Sequence, residues 1–398
     1  MNNHVIFEPA REIPVAGHFD VIVAGGGFAG ISAALSAKRA GAKSVLLIER
    51  EYTLGGLATL GLVTIYLPLC DGTGRQVSFG IAEELLELSI SHGAEEERLP
   101  ECWQHEAPRE ERAKHRYRCQ YNPAVFASLA DQLLLREGVT LLFGSTVCAA
   151  AMEDGHIHAL IVENKNGRQA YTADGFVDAT GDADICRMTG EATVDFEQGN
   201  VMAAWCYATK DGALSLRPLG FADIPDSEKP DGKTPDTDTR ERFTGRDAAE
   251  LSRLMVLSRK WAVDHFLSEG DLAPGHSIVT LPTIPQIRMT RRLKGEVAMS
   301  LSMDGQFIES SVGIISNWKR VGPAYEVPFG SLCADIPNLY AAGRCMAAEE
   351  DMWDVTRVIP CCAVTGEAAG IAAAIGRDLH QVQAVLRKRK IPLHISEL

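Results

Sequence analysis

No run of about 18 apolar residues occurs in the 398-residue chain, the minimum for a helix to cross a bilayer, so no membrane span is expected. The first twenty residues carry His4, Glu8, Arg11 and Glu12 with no apolar stretch, so no secretory leader is expected either. Cysteine is present ten times, but no C-x-x-C pair occurs and Cys361 and Cys362 are adjacent. That spacing excludes the usual iron–sulfur and zinc-ribbon frameworks and fits reduced thiols in a cytoplasmic protein. Eleven histidines are scattered without metal-ligand spacing, and His156 and His158 alternate on a predicted strand, so no metal site is expected. Positive charge is in deficit: 39 Lys and Arg against 53 Asp and Glu give a net charge of −14. A nucleic-acid partner is not expected, and an anionic membrane surface would repel the chain.

What remains is the composition of a protein with a sizeable core, 46% hydrophobic and 23% charged. Its length implies two or three domains at about 150 residues each. Thirty-six glycines in a sequence without repeats point to many tight turns and close backbone approaches. Residues 19–24 read as a buried strand, 31–40 as an alanine-rich helix and 44–48 as a second buried strand, a parallel β-α-β crossover. Helices are predicted over 81–91, 122–137 and 247–267, and a final one over 360–375 with Pro360 at its first position. A strand is predicted over 139–143. A three-stranded antiparallel excursion follows over 147–151, 157–163 and 169–172, with turns at Asp154-Gly155 and Asn166-Gly167. Residues 175–178 and 338–342 read as further strands. The 92–118 stretch is charged and reads as exposed, and 218–246, rich in Pro, Asp, Thr and Lys, reads as a long loop or lid.

Gly25-x-Gly27-x-x-Gly30 lies between the first strand and the first helix. Gly25 allows the sharp turn, Gly27 lets a diphosphate approach the backbone, and Gly30 lets helix and strand pack closely. The free N–H groups of the helix start then face the anion. Glu49 follows Gly30 by nineteen residues at the end of the second strand, where an acid accepts a ribose hydroxyl. An acid there favours an unphosphorylated ribose over NADP. The unit alone does not separate NAD from FAD.

Later motifs do. Leu54-Gly55-Gly56-Leu57-Ala58-Thr59 follows Glu49-Arg50; Val177-Asp178-Ala179-Thr180-Gly181-Asp182-Ala183-Asp184 forms a second glycine turn; and Asn338-Leu339-Tyr340-Ala341-Ala342-Gly343-Arg344-Cys345 comes near the end, with Gly366-Glu367-Ala368-Ala369-Gly370 behind it. In this order the motifs resemble those of the FAD-dependent oxidoreductases with a glutathione-reductase-like fold. The resemblance is close over 19–63, 120–190 and 334–378 and loose between. It implies an α/β architecture: a three-layer Rossmann-like FAD-binding domain built from 1–61, 120–190 and 334–398, and an α+β substrate or cap domain built from 62–119 and 191–333. By the same resemblance, Gly25, Gly27, Phe28, Ala29 and Gly30 would hold the diphosphate. Glu49 would hold the adenosine ribose with Arg50 beside it, and Val147 would meet the adenine through its backbone. Gly56, Leu57, Ala58 and Thr59 would line the flavin side, and Thr180, Gly181 and Asp182 would pass the adenosine half. Gly343 and Arg344 would meet the ribityl or diphosphate region. Arg357 and Val358 precede a helix whose N-terminus would point at the flavin C2 carbonyl, where positive helix-end charge stabilises a reduced flavin.

Two departures narrow the expected chemistry. Residues 57–63 contain no cysteine, which removes dithiol exchange, and no second G-x-G-x-x-G marks a nicotinamide domain. Where many relatives place Ser-x-x-His, this chain has Ala347-Ala348-Glu349-Glu350-Asp351. Arg288, in the run with Arg291 and Arg292, is a candidate to clamp a substrate carboxylate; solvated or structural salt bridges are the alternative. Asp354 and Arg357 are the candidate catalytic pair, the acid taking a hydroxyl proton as a hydride leaves; a purely structural pair is the alternative. Cys70, Cys345, Cys361 and Cys362 are either inert thiols or redox groups, and Tyr66 and Trp353 either stack near the flavin or fill the core. The expected activity is hydride exchange between flavin N5 and a small organic acid or sugar-like metabolite, as a dehydrogenase or oxidase. Reduction of an activated double bond, or service as an electron-transfer subunit, is the alternative. The expected partners are that substrate and an electron acceptor (oxygen, a quinone or a redox protein), with a homodimer left open.

Overall fold

The computed structural model describes residues 6–92, 98–220, 241–270 and 272–398. A seven-stranded sheet forms its centre, from β1 (Val15–Ala24), β2 (Val45–Ile48), β3 (Val139–Leu142), β4 (Thr146–Glu153), β5 (His156–Asn164), β6 (Gly167–Asp178) and β7 (Leu339–Ala341). The order is β3-β2-β1-β6-β5-β4, with β7 on the same side of β6 as β5. Strands β3, β2, β1 and β7 run parallel to the end of β6, whereas β4, β5 and the start of β6 form the antiparallel meander. The helices used below are α1 (Phe28–Arg39), α2 (Ile81–Ile90), α3 (Pro123–Arg136), α4 (Asp184–Thr189), α5 (Ala248–Ser268), α6 (Glu350–Thr356), α7 (Ile359–Ile375) and α8 (Leu379–Lys388).

Alternation along β1 sorts the layers. Val21 and Val23 face a core made with α1, α2, α3 and α7, while Ile22 and Ala24 face one made with Leu160, Val162 and Phe176 of the meander and Ile185 of α4. The result is a three-layer, Rossmann-like α/β fold. Helix α7 is buried among these elements and almost wholly apolar, its one charged residue, Glu367, being paired with Arg389 and the Ile81 N–H. It crosses α1 closely: a Cβ on Gly366 would come within 2.2 Å of the Ala29 carbonyl oxygen, and one on Gly370 within 2.1 Å of that of Ala33. Among the described residues no single helix is long and apolar enough to cross a membrane.

Several elements differ from the sequence expectation. The third strand of the excursion and the strand at 175–178 are one continuous strand, β6, which serves two partners in succession. Asn338 fills the fork where they diverge. Its Oδ1 accepts from the Ile157 N–H at 3.0 Å and its Nδ2 donates to the carbonyls of Ile157 at 2.9 Å and Asp174 at 3.2 Å. Helix α7 is not the last helix, because α8 follows, started by the Asp378 side chain accepting from Gln381 N. The charged stretch before Cys119 is only partly exposed: Cys102 and Tyr117 are buried, and Trp103 packs edge-on against Tyr117. Of the expected lid, residues 221–240 lie outside the described residues. On its far side, Phe243 is buried and exchanges two backbone hydrogen bonds of 2.8 Å with Asn200.

The remaining chain builds a second α+β region. Strands Ala213–Arg217, Cys206–Lys210 and Ser277–Thr280 form an antiparallel sheet beside α5, which Asp247 caps through Glu250 N. A short pair, Thr193–Asp195 with Arg291–Leu293, leads from this region back to the main sheet.

Candidate cofactor and active site

The site is a cleft at the carboxyl ends of the parallel strands, where an open α/β sheet offers a crevice. At its centre the backbone turns from β1 into α1. Gly25 has φ +100°, and a Cβ there would lie 2.3 Å from the Ala179 carbonyl oxygen. A Cβ on Gly30 would lie 1.8 Å from the Gly25 carbonyl oxygen, so this corner closes only with glycine at both positions. Gly27 differs: its φ of −71° suits any residue, and a Cβ there would meet nothing within 4 Å because it would project into the open cleft. Gly27 is the N-cap of α1 and supplies no side-chain acceptor, so the first-turn N–H groups remain available to an anion.

The second glycine pair is stitched onto the first. Gly55 N donates to the Gly26 carbonyl at 2.7 Å, and Gly56, at φ +54°, has only the Gly27 Cα near its own Cβ direction, at 3.6 Å. Glu49 closes the opposite wall. Its Oε2 accepts from Gly26 N at 2.6 Å and its Oε1 from Glu51 N at 2.9 Å. Burial raises its pKa against the pull of those two donors. Arg50 stands exposed at the rim, and Thr146 and Val147 come in from the edge strand β4.

The third wall comes from the turn after β6. Buried Asp178 organises it: Oδ1 accepts from the Thr180 hydroxyl at 2.7 Å, and Oδ2 accepts from Cys186 N at 3.0 Å. The Cys345 sulfur accepts from the N–H groups of Gly181 at 3.1 Å and Ala183 at 3.3 Å, joining the third wall to the C-terminal segment. Asp182 accepts from the Thr290 hydroxyl at 2.7 Å and faces Arg344 at 3.7 Å. Arg344 donates to the carbonyls of Ile287 and Arg288 at 2.8 and 2.9 Å. Asp184 also lines the cleft, its pKa pushed up to about 6 by burial and by the charges of Asp182 and Asp178, against the pull of Arg291. The far end is formed by Arg357, Ile359 and Cys362 at the start of α7. Burial lowers the Arg357 guanidinium to about 9 and raises the Cys362 thiol to about 11.

Most of the anticipated residues therefore meet in one place. Gly25, Gly27, Phe28, Ala29, Glu49, Arg50, Gly56, Leu57, Ala58, Val147, Thr180, Gly181, Asp182, Arg344 and Arg357 line the cleft. Six others stand behind it. Gly30 and Gly343 are packing positions, since a Cβ on Gly343 would lie 2.8 Å from that of Ala29. Thr59 gives its hydroxyl to the Leu54 carbonyl at 2.6 Å, and Val358 is the N-cap of α7. Asp354 is only 1% exposed and ion-pairs with both Lys319 and Arg357. The carboxylate expected to act as the base is therefore held between two cations and does not itself line the cleft.

Arg288 is also behind the wall. It is 7% exposed, with its guanidinium carbon 5.0 Å above the Trp205 ring. Of its neighbours, Arg291 is paired with Asp184 and the Asp182 carbonyl, and Arg292 donates through Nε to the Ala348 carbonyl while its Nη1 stays without a partner. Tyr66 and Trp353 are core residues: Tyr66 gives its hydroxyl to the Ala82 carbonyl and Trp353 its indole N–H to the Arg344 carbonyl. All ten cysteines are free thiols. Sequence reasoning missed Gly245, Leu251, Ile284, Pro285, Ile287 and Thr290, which complete the lining from the second region. Only the arginines that follow Ile287 hinted at that segment.

A glycine corner open to an anion, a buried acid at the end of β2 and cations at the far end are the features a dinucleotide-binding flavoprotein requires. The open space at Gly27, the uncapped start of α1 and the guanidinium group of Arg344 suit the diphosphate of FAD. The chain belongs to the FAD dependent oxidoreductase family, whose model matches residues 20–206 and 304–389, and FAD is its cofactor. No curated protein matches it significantly in sequence. Among solved structures it is similar to Thermovibrio ammonificans THI4, at 18% identity and TM-score 0.30 over 43% of this chain, and it spans only 61% of that chain. It is similar to a geranylgeranyl bacteriochlorophyll reductase-like protein from Thermoplasma acidophilum, at 15% identity and TM-score 0.47 over 94% of this chain and 84% of that one. It is also similar to a 3-ketosteroid-delta4-(5alpha)-dehydrogenase from Rhodococcus jostii RHA1, at 14% identity and TM-score 0.43 over 90% of this chain and 97% of that one. Likeness at these levels carries no substrate from those proteins to this one.

Proposed function

We propose that this protein moves a hydride between a small organic metabolite, an acid or a sugar-like compound, and flavin N5, acting as a dehydrogenase or oxidase. The chemistry supplied by bound FAD is two-electron acceptance at N5. The residues of the chain bind and bias. The start of α1 at Gly27 holds the diphosphate, and Glu49 accepts the ribose hydroxyls with oxygens already fixed by two N–H groups. Val147 meets the adenine end and Leu57 and Ala58 the flavin side. Within this reading, residues 1–61, 120–190 and 334–398 form a cofactor domain of the glutathione-reductase-like subtype, and 62–119 with 191–333 form the part that receives the substrate.

The observation that carries the reading is Arg357. Its side chain lines the far end of the cleft beside the first turn of α7, while Asp354, itself paired with Lys319, holds it from behind. A fixed cation and a helix start together favour negative charge at one end of a cofactor cleft, the requirement for holding a hydride equivalent. Dithiol chemistry has no support here, since no cysteine lies between Leu57 and Val63.

The test is anaerobic mixing of the purified yellow protein with a panel of hydroxy acids, saturated acids and polyols. Absorbance is followed at roughly 450 nm, the oxidised-flavin band. Bleaching by a panel member supports the reading. If no member bleaches the flavin and the photoreduced protein is reoxidised by an unsaturated acid, the dehydrogenase assignment is wrong and the reductase one replaces it.

A further inference from the structure

Arg288 is a buried cation without a counter-ion. Its Nε is shielded from solvent and has no hydrogen-bond partner, and no carboxylate lies within ion-pair distance of it among the described residues. The acid whose charge acts on it, Asp354, is already shared by Lys319 and Arg357, while Arg344 repels it. The backbone around it is fixed at both ends. Arg288 N donates to Asn200 Oδ1 at 3.3 Å, and its carbonyl accepts from Arg344 at 2.9 Å. One face of the guanidinium is covered by Trp205. Trp205 is in turn tied, through Gln286, to the Gly61 carbonyl in the loop that follows the cleft-lining Gly55-Gly56 turn, with Gln286 Nε2 donating at 2.6 Å.

A folded chain does not gain by burying an unpaired guanidinium, since desolvation of the charge is uncompensated. Arg291 and Arg292, three and four positions on, both find acceptors in the protein. With one face stacked and its Nε without an acceptor, the Arg288 guanidinium keeps a planar fork of N–H donors which matches a carboxylate in two-point contact.

We propose that Arg288 binds the carboxylate of a small organic anion, at the boundary between the cofactor cleft and the second α+β region. The proposal rests on the hydride-transfer reading only in taking that anion to be the substrate. It narrows the substrate class from acid or sugar-like to acid.

The test uses the FAD-loaded protein and does not depend on turnover. Acetate, succinate and benzoate, their amides, and inorganic phosphate are titrated while the flavin spectrum, tryptophan fluorescence and melting temperature are read. At least one carboxylate is expected to bind saturably and at least about tenfold more tightly than its amide and than phosphate. Arg288→Met abolishes that preference, whereas Arg288→Lys keeps it with weaker binding. Without ligand, Arg288→Met melts at or above the wild-type temperature, because it removes a buried unpaired charge. Equal binding of amides and carboxylates, stronger binding of phosphate, an unchanged preference in Arg288→Met, or a large fall in its melting temperature overturns the proposal. Carboxylate binding without any bleaching by the panel would remove the hydride reading and leave the anion site. Bleaching by polyols with no carboxylate binding would do the reverse.

Discussion

Replacing Gly27 with valine separates cofactor binding from folding. The backbone at Gly27 is extended, with ψ near 179°, and its Cβ direction is open, so the fold has room for the new side chain. An apolar N-cap costs about 1 kcal/mol relative to a good cap, and losing a glycine from the unfolded chain recovers about 0.4–1 kcal/mol. The net change in stability is therefore within about 1 kcal/mol. The cofactor has no such room, because the added carbons occupy the space through which a diphosphate reaches the first-turn N–H groups. Losing two charge-assisted hydrogen bonds of about 1.5–3 kcal/mol each weakens FAD binding by roughly 3–6 kcal/mol, or about two to four powers of ten. Gly30→Ala is the matched control: it adds one methyl where the Gly25 carbonyl oxygen would be 1.8 Å away, so it disrupts the corner itself. Flavin content after purification, titration with FAD and melting by circular dichroism read the two effects separately. Gly27→Val that retains a full complement of FAD refutes the assignment of this corner to the diphosphate. Gly27→Val that fails to fold, as Gly30→Ala is expected to, refutes the claim that the space is open for a ligand.

Three other outcomes follow from the geometry. Arg357→Gln makes the bound flavin harder to reduce by about 20–45 mV, the equivalent of 1–2 kcal/mol for two electrons; Asp354→Asn shifts the potential less because it only loosens Arg357, and equal potentials in all three proteins would remove Arg357 from the flavin end. Asp184 binds its proton more tightly folded than unfolded, so its contribution to stability is full below about pH 4 and is lost as pH rises through about 6; the melting temperature of Asp184→Asn should exceed that of wild type above that pH and converge with it near pH 4, and a constant difference across the range would contradict the assignment. Asn338→Ala removes three hydrogen bonds at the strand fork and should lower unfolding stability by about 2–3 kcal/mol in a denaturant titration; a change under about 0.5 kcal/mol would show that β5 and β7 hold their places without it.

The first crossover was legible because its signals are local. Buried strands are continuous apolar runs, and the glycines of the corner cannot be replaced without collision. The starts of α3 and α5 were legible for the same reason: Asn122 with Pro123, and Asp247, cap them with their own side chains. The fork in β6 was not legible, since pairing first with β5 and then with β7 leaves no mark in the alternation of a single strand. The two candidate catalytic groups beyond Arg357 show the limit most clearly. Asp354 and Arg288 were chosen by residue type, yet what decides their roles is the number of opposite charges around them. Lys319 comes to Asp354 from a loop 35 positions earlier, and no acid comes within ion-pair distance of Arg288 among the described residues. Such neighbours are set by how the second region lands on the first.

The walls of the cleft come from chain segments far apart in order of synthesis: the corner near Gly27, the edge at Val147, the turn at Gly181 and finally Arg344 through Cys362. Domains tend to form on the ribosome from the N-terminus onward. Here an early fragment can build β1, α1 and β2 but lacks α7, the helix against which α1 packs most closely, and the cationic end of the cleft. Cofactor capture is consequently tied to the emergence of α7, and chains cut before Ile359 should leave the ribosome colourless.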